Sequence, residues 1–298
     1  MKVFDCITYY DEPLLFEIRL NVLDNFVDEF IVSEALFSHS GEKKKINFNI
    51  NNYPKFKNRI KHIIIEDEPD NLIEITTQNK SNNSFFRLNA SRRIEHQRNK
   101  IISNFNEKNL EDWIIYSDSD EIPNLENFDL RNNKNKIVLF NQNVFHYKFN
   151  LLLAGHEWFG SKACRYKDLN TISYLRNIKT KKYPFWRLDA LFKKDKFINL
   201  KIVKNGGWHF TELKNPEEIY NKHKNDEHHD EFDLTGINKS HIEDMVKNKY
   251  IPYDHSADKT DFFKKWNKNN RIFLTKINDD KLPKYLIDNK TKYFKWFD

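Results

Sequence analysis

The chain is poor in cysteine, glycine and long apolar runs, and each shortage removes a class of protein. Two cysteines, Cys6 and Cys164, cannot build a disulfide framework or a cysteine zinc site. Thiols this sparse suit a reducing compartment. Six glycines in 298 residues leave no GxGxxG after the first strand and no GxxxxGKS/T anywhere, which argues against a glycine-cradled phosphate loop. No segment approaches the roughly 20 consecutive apolar residues of a membrane span. The N-terminus, MKVFDCITYYDEP, turns acidic before a signal-peptide core could form. The expectation is a soluble, cytoplasmic protein without a transmembrane segment.

Aromatic residues are plentiful by contrast: 25 Phe and 13 Tyr, within a hydrophobic share of 39%. That composition supports a packed core despite 32% charged residues. Lys and Arg exceed Asp and Glu by 50 to 44, and the net +6 is spread along the chain. Nucleic-acid domains concentrate such charge on one face or stripe. The spread reads instead as the solvated surface of a Lys- and Asn-rich protein, with no nucleic-acid partner expected.

Strand-like and helix-like segments alternate through the first half. Lys2 to Thr8 reads as a strand, and EPLLFEIRLNVLDNF sets Leu15, Ile18, Val22 and Phe26 at helical spacing behind Pro13. EFIVSEA and IKHIIIED read as strands, RLNASRRIEHQRNKIISNF as a helix, and DWIIYSDSD as a fourth strand. KIVLFNQNVFHYKF predicts a fifth strand, long and bent. Such alternation argues an α/β fold, a mostly parallel sheet flanked by helices. Further on, NGGWHF holds the one Gly-Gly pair, and NPEEIYNKHK is a helix start with acids in its first turn. Residues 237–298 read as a basic, helical C-terminal extension packed on a domain of residues 1–236.

IIYSDSDEIP, Ile114 to Pro123, carries the chemistry. An apolar strand runs into Asp118 and Asp120, and ligands of open α/β sheets bind at such carboxyl ends. In extended geometry both carboxylates face one point while Ser117 and Ser119 face away. Paired oxygen donors suit Mg²⁺ or Mn²⁺ completed by substrate phosphates; the plainer reading is a polar turn capped by Asp118. On the preceding helix Ile94, Arg98, Ile101 and Phe105 share a face. Arg98 must then find an anion, either beyond the sheet edge or at Glu95, since an unpaired buried charge is too costly.

FDCITYYDEPLLFEIRLNVLDNFVDEFIVSEALFSHSG, EHQRN, YSDSDEIP and GGWHF occur in an order that resembles glycosyltransferase family 17, over about residues 2 to 212. The family is typified by the β-1,4-mannosyl-glycoprotein 4-β-N-acetylglucosaminyltransferases. The resemblance implies a GT-A-like nucleotide-sugar fold and a metal-dependent inverting transfer, with UDP-GlcNAc as donor and a glycan hydroxyl as acceptor. It places Mn²⁺ or Mg²⁺ on Asp118 and Asp120, with Glu121 and Pro123 completing the signature and His209 completing the metal shell. Tyr9, Glu12, Arg19, Glu34, Arg98, Asn99 and Asp118 fall at donor-contacting positions. Animal members are membrane-anchored Golgi enzymes. The expectation here is a cytosolic transferase building a cell-surface, lipopolysaccharide, capsular or viral glycan.

Inversion needs a general base, for which Glu212 and Asp189 are the candidates. Trp158, Trp186 and Trp208 read as core residues with sugar stacking as the alternative, and His223, His228 and His229 as a solvated cluster. Two other classes compete. A nucleotidyltransferase would use the same carboxylates but release pyrophosphate, and a non-catalytic glycan-binding module would need neither aspartate.

Overall fold

Strand β1 (Val3–Thr8) is buried along nearly its whole length, and its alternation divides the interior in two. Val3 and Ile7 enter one core, Phe4 and Cys6 the other, as the two-residue period of a strand dictates. The same division runs through β2 (Glu29–Ala35) and β4 (Trp113–Asp118), where Trp113 and Ile115 oppose Ile114 and Tyr116. The computed structural model describes residues 1–76, 83–105, 109–180, 199–225, 232, 235–254, 267 and 269–298.

With β3 (Ile60–Ile65), β6 (Ile137–Phe140), β9 (Lys162–Arg165) and β10 (Leu200–Val203), these strands form a seven-stranded sheet ordered β10-β6-β9-β4-β1-β2-β3. Its pairings are parallel except those of β9, which runs against both neighbours. Helix α1 (Pro13–Val22) covers one face through Leu15, Phe16, Ile18 and Leu20. The end of α2 (Asn83–Lys100), continued as a 3₁₀ turn through Ile101, and α3 (Ile172–Asn177) cover the other. The result is an α/β sandwich buried on both faces, which is why its strands read as continuous apolar runs.

A second, five-stranded sheet is mixed: β14 (Thr275–Lys276), β8 (Leu151–Leu152), β7 (Asn143–His146), β11 (Gly207–Thr211) and β5 (Glu121–Pro123). The segment expected as one long strand is therefore two, β6 and β7, in different sheets. Asn141 and Gln142 break it, their amides bonding Val203 O and Trp158 O at 3.0 and 2.7 Å. The chain crosses between the sheets in the same way from β4 to β5 and from β10 to β11. Glycine permits that crowding, since a Cβ on Gly206 would stand 2.7 Å from Val203 O, and one on Gly207 2.1 Å from Ile122 O.

Beyond the two sheets lie α4 (Pro216–Asn225) and α5 (Lys239–Asn248), which bury Ile219, Ile242 and Met245 with Val144 and Leu151. The last residues add β14 to the second sheet and set α6 (Lys284–Asp288) against α1. Strands β12 (Tyr250–Ile251) and β13 (Ile272–Phe273) pair with each other.

Candidate active site

A cleft of about 550 Å³ opens at the carboxyl ends of β1 and β4, where Thr8 and Asp118 are register partners. Its walls come from the loop after β1, the face of α2 bearing Ile94, Gln97 and Arg98, and the start of α4. Asp118, Asp120, Glu121, Trp158 and His209 line the side where the two sheets meet.

Asp118 is held by cations and a phenol. Its Oδ1 accepts from Tyr116 Oη at 3.0 Å and Arg98 Nη2 at 3.1 Å, and its Oδ2 accepts from Arg176 Nη2 at 2.6 Å. Burial would raise the carboxyl's pKa, but Arg176 and Arg98 hold it far below the ordinary carboxylate range. Arg98 therefore pairs with neither Glu95 nor open solvent. Its partner is the first aspartate of the motif, with Nε on the Tyr116 hydroxyl at 2.9 Å.

Glu121 is 1% exposed and ties the surroundings together. Its Oε2 accepts the Asp118 N–H at 2.9 Å, and its Oε1 accepts from Trp158 Nε1 at 2.7 Å and Arg176 Nη2 at 3.1 Å. Behind this group, buried Lys162 donates to the carbonyls of Arg176 and Ile178 at 2.5 and 2.7 Å, closing the end of α3. Burial, with Arg176 adding to it, lowers the ammonium to about 7.

Asp120 lies in the turn that leads into β5 of the second sheet. Its carbonyl accepts the Phe210 N–H at 2.8 Å, and its Oδ2 stands 3.4 Å from His209 Nε2. Burial works against both charges. The two groups nonetheless stabilise each other's ionised form, so Asp120 is lowered and His209 raised. Two donors sharing one octahedral cation at about 2.1 Å each stand about 3 Å apart, so this pair fits such an ion. Among the described residues no group of three His, Cys, Asp or Glu side chains is arranged to hold a metal. A cation here would need substrate phosphate and water for its other ligands, as Mg²⁺ commonly does.

Of the remaining predicted residues, Tyr9 and Glu12 line the cleft. Glu12 holds the loop by accepting the N–H groups of Tyr10 and Asp11 at 3.3 and 3.1 Å. Three others face elsewhere. Arg19 is fully buried and forks onto Asp5, at 2.6 and 2.5 Å, while also donating to the Glu121 carbonyl. Glu34 is buried under Lys44 (2.6 Å) and the N–H groups of Asn47 and Phe48 (2.7 and 3.0 Å). Asn99 accepts the Ser173 N–H at 3.0 Å, pinning α2 to α3.

Glu212 sits between His146 Nδ1 (3.5 Å) and His223 Nε2 (2.8 Å), and is not among the residues lining the cleft. His223, expected in a solvated cluster, instead bonds Glu212 and stacks on Phe232, a residue buried with Ile219 and Ile242 of α4 and α5. Asp189, Trp186, His228 and His229 lie outside the described residues. Trp158 lines the cleft, whereas Trp208 is buried with its N–H on Lys281 O at 2.8 Å. The sequence reading missed Arg176, Lys214 and Lys222. Both lysines line the cleft, Lys222 from the last turn of α4 and Lys214 from the segment before it, where it donates to the Asp11 carbonyl at 3.1 Å.

A crevice at the carboxyl ends of an α/β sheet, set with carboxylates, a histidine and an arginine, is the arrangement of a group-transferring enzyme. The family model of Glycosyltransferase family 17 matches residues 1–297, and the chain belongs to that family: it is a glycosyltransferase. No curated protein matches it significantly. The crystal structure of HddC from Yersinia pseudotuberculosis is similar over 68% of this chain and 90% of its own, at 12% identity and a TM-score of 0.32. Among the described residues no helix is long and apolar enough to cross a membrane.

Proposed function

We propose that this glycosyltransferase has a GT-A-like fold and moves GlcNAc from UDP-GlcNAc to a glycan hydroxyl with inversion, using Mn²⁺ or Mg²⁺. The transferase domain is residues 1–236, and residues 237–298 form an extension packed on it. The observation that carries the reading is Asp120 beside His209 on the cleft wall, within the spacing of two ligands on one ion.

A cation held by Asp120 and His209 would neutralise the charge that develops on the leaving diphosphate. Arg98 and Lys222 add positive charge on the same cleft, where the donor's diphosphate must lie. Tyr9 and Glu12 shape the wall beyond β1. Deprotonation of the acceptor hydroxyl requires a base opposite the leaving group. Glu212 is clasped by His146 and His223 off the cleft, which leaves Asp189 as the base to test first.

The deciding experiment is a panel of nucleotide sugars with Mn²⁺, read by thermal shift and by release of nucleoside diphosphate. UDP with Mn²⁺ should raise the melting temperature through ordinary ligand linkage. UDP release from UDP-GlcNAc should stop in EDTA and resume with added metal. Stabilisation by GDP or CMP but not UDP would overturn the donor; full turnover in EDTA would overturn the metal.

A further inference from the structure

The two aspartates of the motif stand in opposite electrostatic settings. Both oxygens of Asp118 are engaged, by Arg98, Arg176 and Tyr116. Around it the guanidinium groups of Arg98 and Arg176 stand against the carboxylates of Asp118 and Glu121. A divalent cation entering there would have to displace guanidinium groups from their partner and sit among like charges. Asp120 lines the same cleft but is paired with the His209 imidazole and not with a guanidinium, and Lys222 adds positive charge from α4.

Arg98 lines the cleft, whereas Arg176, not among the lining residues, bridges Asp118 and Glu121 with its guanidinium 6.0 Å from the Trp158 ring. A planar guanidinium held at Nε and Nη2 is fixed in orientation, ready for a phosphate that it could meet with its remaining donors.

Resting on the nucleotide-sugar reading above, we propose that the aspartates divide their labour. Asp118 is a positioning residue that aims Arg98 at the anionic phosphate of the donor, and Asp120, with His209, is the aspartate left to hold a cation. Arg176, braced by Glu121, holds the other oxygen of Asp118 in place.

The test compares Asp118→Asn, Asp120→Asn and Arg98→Lys. Manganese binding at saturating UDP is read by electron paramagnetic resonance, UDP and pyrophosphate binding by calorimetry with Mn²⁺ and with EDTA, and folding by apo melting. Asp120→Asn should lose manganese binding, while Asp118→Asn keeps it within about twofold and loses about tenfold in UDP affinity, the weight of one charge-assisted hydrogen bond. Arg98→Lys should show the same UDP loss with its manganese binding intact, and covers the case in which Asp118→Asn fails to fold. Loss of manganese binding in Asp118→Asn equal to that of Asp120→Asn overturns the proposal, as does unchanged UDP affinity in Arg98→Lys. A failed donor reading shows itself differently, as wild-type protein that takes up neither UDP nor pyrophosphate.

Discussion

Trp158 lies 4.9 Å from His209, ring centre to ring centre and only 26° from parallel, while its indole N–H reaches Glu121 Oε1 at 2.7 Å. One side chain thus braces the histidine from its face and the acidic hub from its edge. Trp158→Phe keeps a ring over His209 and deletes the donor. Because the acceptor is a buried carboxylate, the loss should be about 1.5–3 kcal/mol in urea unfolding. A change below about 0.5 kcal/mol would mean that Arg176 alone satisfies that oxygen.

Arg19 makes a second prediction, one separate from the cleft. It is fully buried and forks onto Asp5. Asp5→Ala strands the guanidinium without its counter-ion and should cost about 3–5 kcal/mol. The double change Asp5→Leu with Arg19→Leu removes both charges and should be more stable than either single variant. If the double variant is the least stable of the three, the hydrogen bond from Arg19 to the Glu121 carbonyl outweighs the ion pair.

Much of the large sheet was legible because its strands are buried on both faces and keep unbroken apolar runs, as in FIVSEA and WIIYS. The strand that failed, Lys136 to Phe149, has the same apolar content on either side of Asn141 and Gln142. Only the Trp158 and Val203 carbonyls, supplied by distant segments, show that the chain changes sheets there. Arg98 was visible as a charge on an apolar stripe, yet its partner was not Glu95 one turn away. Asp118 lies 20 residues on, and Arg176 reaches the same carboxylate from 58 residues further along. Glu34 and Arg19 show the converse. Their positions fit the donor pattern, but local folding gave each a buried partner, which no periodicity records.

Glu212 predicts a pH response. Burial opposes its ionisation, but His146 and His223 overcome that and hold the carboxyl well below its usual 4.5. As pH falls, the unfolded chain takes up this proton before the folded one does. The stability contributed by Glu212 is therefore complete above about pH 4.5 and is lost progressively below it. Glu212→Gln removes this dependence, so its stability deficit against wild type should shrink between about pH 6 and about pH 3. Curves that stay parallel over that window would show that the folded carboxyl is not depressed.

Gly160 gives the sharpest steric prediction. A Cβ built there would stand 2.1 Å from the Cδ and from Oε1 of Glu121. A flexible side chain could swing away, but this carboxylate is fastened by Asp118 N–H, Trp158 Nε1 and Arg176 Nη2. Gly160→Ala must therefore either break those bonds or shift β9's approach to β4, at a cost of about 1–3 kcal/mol. The collision has one named partner, so removing that partner should relieve it. In a Glu121→Ala background the three atoms nearest the added methyl are gone, and Gly160→Ala should cost less than about 0.5 kcal/mol. A double-mutant cycle in urea measures the coupling directly. Additive costs would place the strain in the backbone around Gly160 instead, and Glu121 would then be free to move without disturbing Asp118.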